Sequence, residues 1–289
     1  MQLPPLVRAL RPEQWTKNLF VAAPLLFGKA LTLPASLRQT AVAALAFCAT
    51  SSALYLLNDL FDRETDRRHP VKRSRPIASG ALSVPAAVGA ALVLLSGAVA
   101  AVASWSPRAL APMALYAALM ALYSGLLKHV ALLDVLVIAG GFVLRVITGS
   151  RAAGVAPSHW LLLCTFFLAL YLALGKRRGE LVLDGGALRP SLETVPVAMI
   201  ESFENIAMAV TIVCYTLYTV APETVAWFGT DRLMLTVPFV VFGLFRWRLL
   251  EVRGGGEDPS GDLFRDPGLV LTIVLWGLAC GLLIYAVPP

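Results

Sequence analysis

The sequence predicts an all-α integral membrane protein of about nine transmembrane helices, forming a single domain over residues 1–289. Three observations carry that expectation. Of the 289 residues, 58% are hydrophobic and only 15% are charged, and the mean hydropathy is +0.74, a balance foreign to soluble domains. The apolar residues come in successive runs of about 20, each able to cross ~30 Å of hydrocarbon. Charge is largely confined between the runs and falls unequally on alternate connections. The net +6 is therefore a matter of topology. With no basic–aromatic interleaving and no nucleic-acid motif, it does not indicate a nucleic-acid partner. Cys48, Cys164, Cys214 and Cys280 stand singly in apolar runs, without metal-ligand spacing, and read as small core residues.

The runs lie near 18–33, 37–58, 83–104, 109–127, 132–150, 158–175, 200–221, 233–250 and 268–287. Pro24 and Lys29 interrupt the first. A crossing is still expected there, because it keeps Arg8, Arg11 and Lys17 with the other bases. Nine crossings leave Lys29, Arg38, Arg108, Arg151 and Arg232 on one side. Apart from Arg145, inside the fifth run, the other Lys and Arg share the opposite side with the long loops. The positive-inside rule makes that side cytoplasmic and places the C-terminus outside a plasma (inner) membrane. No apolar stretch with a small-residue cleavage site opens the chain, so no signal peptide is expected. Polar mass on one face suits an enzyme working at that face, whereas a transporter gathers ionisable groups near the midplane.

Taken in order, the first polar stretch is Arg11-Pro12-Glu13-Gln14-Trp15-Thr16-Lys17-Asn18. Trp and Lys belong at headgroup level, so an interfacial anchor is the simplest reading. A helix N-terminus beside an anionic ligand is the alternative.

Residues 58–80 are the densest run of charge, acids first and bases second. Asn58, Asp62 and Asp66 are spaced i, i+4, i+8, and Asp59, Asp62 and Asp66 i, i+3, i+7, so either set lies along one helix face. Aligned carboxylates repel unless a cation sits between them. Oxygen-only donors without Cys suit a hard ion such as Mg²⁺, which shares its shell with substrate phosphates. Arg67, Arg68, Lys72, Arg73 and Arg75 are the bases those phosphates require. The competing reading is a solvated loop between two membrane helices.

Tyr123-Ser124-x3-Lys128 closes the fourth run and Asp134 opens the fifth. Arg145 lies about three turns further along. A charge at that depth faces the bundle interior with a partner, either as a structural ion pair with Asp134 or another carboxylate, or in the chemistry. Gly175-Lys176-Arg177-Arg178-Gly179-Glu180-Leu181-x2-Asp184 ends the sixth run and repeats the i, i+4 carboxylate spacing behind bases. Two such clusters on one membrane side look like a metal-bridged diphosphate site. Arg189, Glu201 and Glu204 follow without an assignable role, and Asp262 and Asp266 read as part of a solvated loop near Gly254-Gly255-Gly256.

At these motifs the sequence resembles the UbiA superfamily of intramembrane transferases. The signature is Asn-Asp-x2-Asp-x3-Asp, matched from Asn58 to Asp66, followed by Arg-Pro-Ile-Ala-Ser-Gly from Arg75 to Gly80. Within the superfamily the chain is most similar to the branch that moves phosphoribosyl groups onto polyprenyl phosphates. Arg11 to Asn18, His69-Pro70-x-Lys72-Arg73-x-Arg75-Pro76, Tyr123-Ser124-x3-Lys128 with Asp134, and Gly175 to Leu181 carry that likeness. Where ordinary prenyltransferases of the superfamily have a second Asp-x3-Asp pair, this chain has Glu180-x3-Asp184.

The resemblance implies a UbiA-like bundle with its active site at the cytoplasmic face. It implies Mg²⁺ as cofactor, held by Asn58, Asp59, Asp62 and Asp66, with Asp62 and Asp66 central to catalysis. The donor would be phosphoribosyl diphosphate (PRPP), and the acceptor a decaprenyl-type polyprenyl phosphate drawn from the bilayer. Lys72, Arg73 and Arg75, with Lys176 and Arg177, would clamp the donor phosphates, and Arg67, Glu180 and Asp184 would bind substrate. Lys17 and Lys128, catalytic with Asp62 and Asp66, would orient the acceptor phosphate together with Arg145, and Asn18, Tyr123 and Asp134 would bind substrate. The product would feed a cell-envelope arabinose donor. The alternative is an isoprenoid transferred from its diphosphate to an aromatic or other small acceptor. The oligomeric state stays open, a homo-oligomer included.

Overall fold

A computed structural model describes residues 3–184, 195–253, 261, 263 and 265–286. Among these residues there is helix and turn and no strand. Twelve α-helices are labelled in chain order: α1 Pro5–Leu10, α2 Ala23–Phe27, α3 Pro34–Phe61, α4 Arg63–Arg68, α5 Val84–Trp105, α6 Leu110–Gly125, α7 Leu133–Ala153, α8 His159–Asp184, α9 Val197–Val220, α10 Pro222–Phe228, α11 Val237–Val252 and α12 Pro267–Tyr285. Helix starts follow from local chemistry. Proline opens α1, α3, α10 and α12, where its missing N–H costs nothing. The Ser83 hydroxyl caps α5 at Ala86 N, and the Asp266 carboxylate caps α12 at Leu269 N, 2.7 Å away.

Among the described residues, seven stretches are long and apolar enough to span a bilayer: 34–61, 84–105, 133–153, 159–182, 197–220, 232–252 and 267–285. That is fewer than the nine expected. The expected fourth span is α6, whose 16 residues rise only about 24 Å. The expected first span is no regular helix. A 3₁₀ segment, Pro12–Val21, leads into the five-residue α2, and the chain then turns at Lys29 with φ 52°. The buried Pro24 withholds an amide at this junction. The segment nevertheless runs antiparallel to α3. Arg11 meets Asp59, Trp15 meets Ser52, Asn18 meets Ser51, and Val21 packs in one cluster with Ala43, Ala46 and Phe47.

The chain forms two compact units. One holds residues 1–25, 30–125 and 144–156, the other 26–29, 126–143 and 157–289. The first packs small side chains, which let backbones approach without help from water. Ala43, Ala46 and Ala53 of α3 are fully or nearly fully buried, as are Ala87, Ala91 and Ala98 of α5. Gly149 of α7 is glycine for the same reason, because a Cβ there would collide with the Val21 carbonyl. In the second unit Tyr171, Ile200, Ala207, Leu244, Trp247 and Leu269 form one core, while Tyr215, Tyr218, Phe228 and Ile284 form another. Large apolar residues such as Leu45 (71% exposed), Val93 (71%) and Leu282 (68%) face outward, as lipid contact requires.

Candidate active site

In the first unit the site is built at the C-terminal end of α3. The helix ends at Phe61, Asp62 takes φ −85°, ψ 2°, and α4 restarts at Arg63, so the acids straddle a break. The helix α4 stops at His69, held extended by Pro70. The acids form two sets. Asn58 Nδ2 donates to Asp62 Oδ2 at 3.0 Å, and both side chains are half-buried. Asp59 and Asp66 are 2% and 3% exposed and converge on one cation: Arg75 Nη1 lies 3.1 Å from Asp59 Oδ1 and 2.8 Å from Asp66 Oδ2. Arg11 Nη2 adds a 2.6 Å bond to the same Asp59 oxygen, with its guanidinium over the Tyr55 ring at 4.9 Å.

These residues fit a hard divalent ion in donor chemistry, being one amide and three carboxylates. The guanidinium nitrogen between Asp59 and Asp66 shows where positive charge is already favoured. They are not a preassembled cage. Among the described residues no three His, Cys, Asp or Glu side chains form a group ready to hold a metal.

The basic tail is folded onto the same end. Arg67 Nε donates to Ala78 O at 3.1 Å, and its Nη1 pairs with Glu64 at 3.0 Å. His69 Nδ1 accepts from the amides of Val71 and Lys72, which shapes the turn. Arg8 donates to Ser74 O at 3.1 Å. Lys72 is half-buried and Arg73 exposed. Gly80 at φ 81° closes the tail in a conformation glycine adopts freely.

The N-terminal segment is fastened along α3. Trp15 Nε1 donates to Ser52 Oγ at 2.9 Å, and Asn18 Nδ2 donates to Ser51 Oγ at 3.2 Å. Asn18 Oδ1 accepts from Arg145 Nε at 2.9 Å, and Arg145 Nη2 donates to the Tyr116 hydroxyl at 2.9 Å. The Arg145 guanidinium also lies over the Tyr116 ring at 4.6 Å and near the Phe47 ring at 5.4 Å. Arg145 is 5% exposed, so these contacts hold it inside the frame. The ion pair with Asp134 considered from the sequence is not its arrangement: eleven residues of one helix separate the two by about 16 Å. Lys17 and Tyr123 are half-buried.

In the second unit, Asp134 at the start of α7 faces the end of α8. Arg177 Nε donates to Asp134 Oδ2 at 2.7 Å, and Arg177 Nη1 donates to Glu180 Oε2 at 2.7 Å. Three residues expected around substrate thus hold one another, with Asp134 and Arg177 each 2% exposed. Lys128, in the 3₁₀ turn Leu127–His129, and Lys176 are half-buried. The Asp184 side chain lies outside the described residues.

Sequence reasoning missed a second network at this end. Glu204 of α9 is fully buried and takes Arg178 Nε at 3.1 Å on one oxygen and Arg248 Nη1 at 2.6 Å on the other. Glu251 lies 3.8 Å from Arg178 and 3.5 Å from Arg248, and accepts from Trp247 Nε1 at 2.8 Å. Glu204 and Arg248 inside apolar runs were the available signal, since membrane-level charges need partners.

The sequence profile of the UbiA prenyltransferase family matches residues 20–264. Decaprenyl-phosphate phosphoribosyltransferase of Corynebacterium glutamicum is 32% identical, the comparison covering 98% of this chain and 87% of that protein. The protein of the same name from Mycolicibacterium smegmatis is also 32% identical, covering 97% of this chain and 92% of its own length. A UbiA homolog from Archaeoglobus fulgidus bound to GPP and Mg²⁺ superposes with a TM-score of 0.73 at 20% identity, covering 96% of this chain and 99% of that one. That likeness shows the fold.

Proposed function

Because the chain belongs to the UbiA prenyltransferase family of membrane transferases, we propose that it moves the 5-phosphoribosyl group of PRPP onto a polyprenyl phosphate and releases diphosphate. The observation that supports this most is the acid–base cluster at the end of α3, with two buried carboxylates held by one guanidinium nitrogen. Two relatives that align along nearly their whole length bear the name decaprenyl-phosphate phosphoribosyltransferase. In this reading Asn58, Asp62 and Asp66, beside Asp59, form the magnesium face. A divalent ion held there would stabilise the negative charge of the departing diphosphate.

The chain's own bases then do the binding. Lys72 and Arg73, half-buried and exposed on the tail, meet donor phosphates as charge-assisted donors. Arg75 reaches a phosphate oxygen by exchanging a carboxylate for it. Lys17, Lys128 and Lys176 are assigned phosphate binding by charge and half-exposure. Arg145 and Asn18 fix the segment that carries Lys17, and Asp134, Arg177 and Glu180 fix the ends of α7 and α8. The bond broken joins ribose C1 to the diphosphate oxygen, which leaves with the electron pair. The bond formed joins C1 to an oxygen of the lipid phosphate. That oxygen is already anionic near neutral pH, so no strong general base is required. We place the site on the cytoplasmic side of a plasma membrane, by the distribution of Lys and Arg, with the product feeding an arabinose donor for the cell envelope.

The test incubates purified protein and Mg²⁺ with ribose-labelled PRPP and polyprenyl phosphate. Label in the organic extract supports the reading. Its absence, alongside turnover of a prenyl diphosphate, favours isoprenoid transfer instead.

A further inference from the structure

We propose that Asp59 is a positioning residue rather than a magnesium ligand: together with Arg11 it fixes the Arg75 guanidinium and the N-terminal segment that carries Lys17. The inference rests on the diphosphate-binding role of the α3 end given above, and it takes Asp59 out of the metal set.

Four observations support it. First, one oxygen of Asp59 takes two guanidinium nitrogens, Arg11 Nη2 at 2.6 Å and Arg75 Nη1 at 3.1 Å. A divalent ion on that oxygen would sit beside two cations already within hydrogen-bond distance of it. Second, Asp59 is 2% exposed, whereas Asn58 and Asp62 are half-buried and paired with each other. The half-buried pair is thus bonded within itself, whereas the buried acid is bonded to two guanidinium groups.

Third, Arg11 is held on three counts. Its backbone is left-handed (φ 52°, ψ 62°) at the junction of α1 and the 3₁₀ segment, its guanidinium lies over Tyr55, and its Nη2 bonds Asp59. A non-glycine residue keeps that conformation when its surroundings impose it. Fourth, the segment that starts at Arg11 carries Lys17 and is pinned further along by Trp15 to Ser52 and by Asn18 to Ser51. Asp59 thus sets the register of this segment against α3 and, through Arg75, of the tail that follows Asp66.

The experiment uses the full chain in detergent with two readouts. One is Mn²⁺ affinity, measured by electron paramagnetic resonance without substrate. The other is the KM of whichever diphosphate donor the enzyme turns over, at saturating Mg²⁺. Because either donor serves, failure of the phosphoribosyl reading leaves this test intact. Asp62→Asn is expected to weaken Mn²⁺ binding on the order of 100-fold, and Asp59→Asn about tenfold less than that. Asp59→Asn should raise the donor KM about tenfold. Arg11→Gln should raise KM likewise without weakening Mn²⁺ binding, and Asp59→Glu should recover most of the loss. Should Asp59→Asn not fold, Arg11→Gln decides alone. Equal loss of Mn²⁺ affinity in Asp59→Asn and Asp62→Asn overturns the proposal, as does a wild-type KM in Arg11→Gln.

Discussion

Arg177 donates from Nε to Asp134 Oδ2 at 2.7 Å, and both side chains are 2% exposed. A resemblance by motif gives these residues to the substrate, yet in the fold they join the start of α7 to the end of α8. Removing one partner of a buried pair strands the other charge, which costs about 3–5 kcal/mol. Asp134→Ala is therefore expected to lower the melting temperature in detergent sharply. Asp134→Asn, which keeps one hydrogen bond, should lower it less. A wild-type melting curve for Asp134→Ala would show that the pair carries no structural load.

Gly175 tests the second network at that end. A Cβ there would run into the Glu251 carboxylate. In an open helix Gly→Ala stabilises by up to about 1 kcal/mol. Here Gly175→Ala is expected to destabilise, on the order of 1–3 kcal/mol, by overpacking a filled site. The sign of the melting shift decides.

The acids at the end of α3 should separate by role. Asp62→Asn removes charge from a half-buried position, so activity should fall about 100-fold or more with the melting temperature nearly unchanged. Asp66→Asn should cost comparable activity and also some stability, because Asp66 is buried against Arg75. Turnover and melting measured on the same preparations check both. Full activity in the two variants would remove the metal assignment.

Chelation is the complementary test. Excess EDTA should abolish transfer, and Mg²⁺ or Mn²⁺ should restore it, because an oxygen-only donor set suits hard ions. Turnover that persists through exhaustive chelation would contradict a metal role.

Asp266 gives a prediction about pH. The hydrogen bond from Arg246 and the Leu269 amide hold its carboxyl below the ordinary carboxylate range. A depressed folded value means stabilisation that is complete above the unfolded value and lost as pH falls through the folded one. Melting curves of wild type and Asp266→Asn should therefore differ near neutrality and converge in strong acid. A constant difference down to strong acid would remove the ionic contribution.

Much of the fold was legible in the sequence because lipid imposes its own rule. A span needs about 20 apolar residues, and seven runs among the described residues supply them plainly. The expected first span is not among them, since Pro24 and the turn at Lys29 break the regular period. What carries the chain there is side-chain bonding along α3, which periodicity does not register. Within the site, the spacing of Asn58 to Asp66 located the charged end of α3. It did not reveal that Asp59 and Asp66 share Arg75 while Asn58 turns to Asp62, because pairing depends on a helix break at Asp62 and on bases distant in the chain. Glu204 and Glu251 needed three helices to meet, so no single stretch could announce them.

The most direct measurement compares diphosphate release from two donors by one preparation with Mg²⁺ present. One arm offers PRPP with a polyprenyl phosphate, the other a prenyl diphosphate with an aromatic acceptor. The account predicts release in the first arm, matched by a phosphoribosylated lipid in the organic phase, and background in the second. Release confined to the second arm would contradict it.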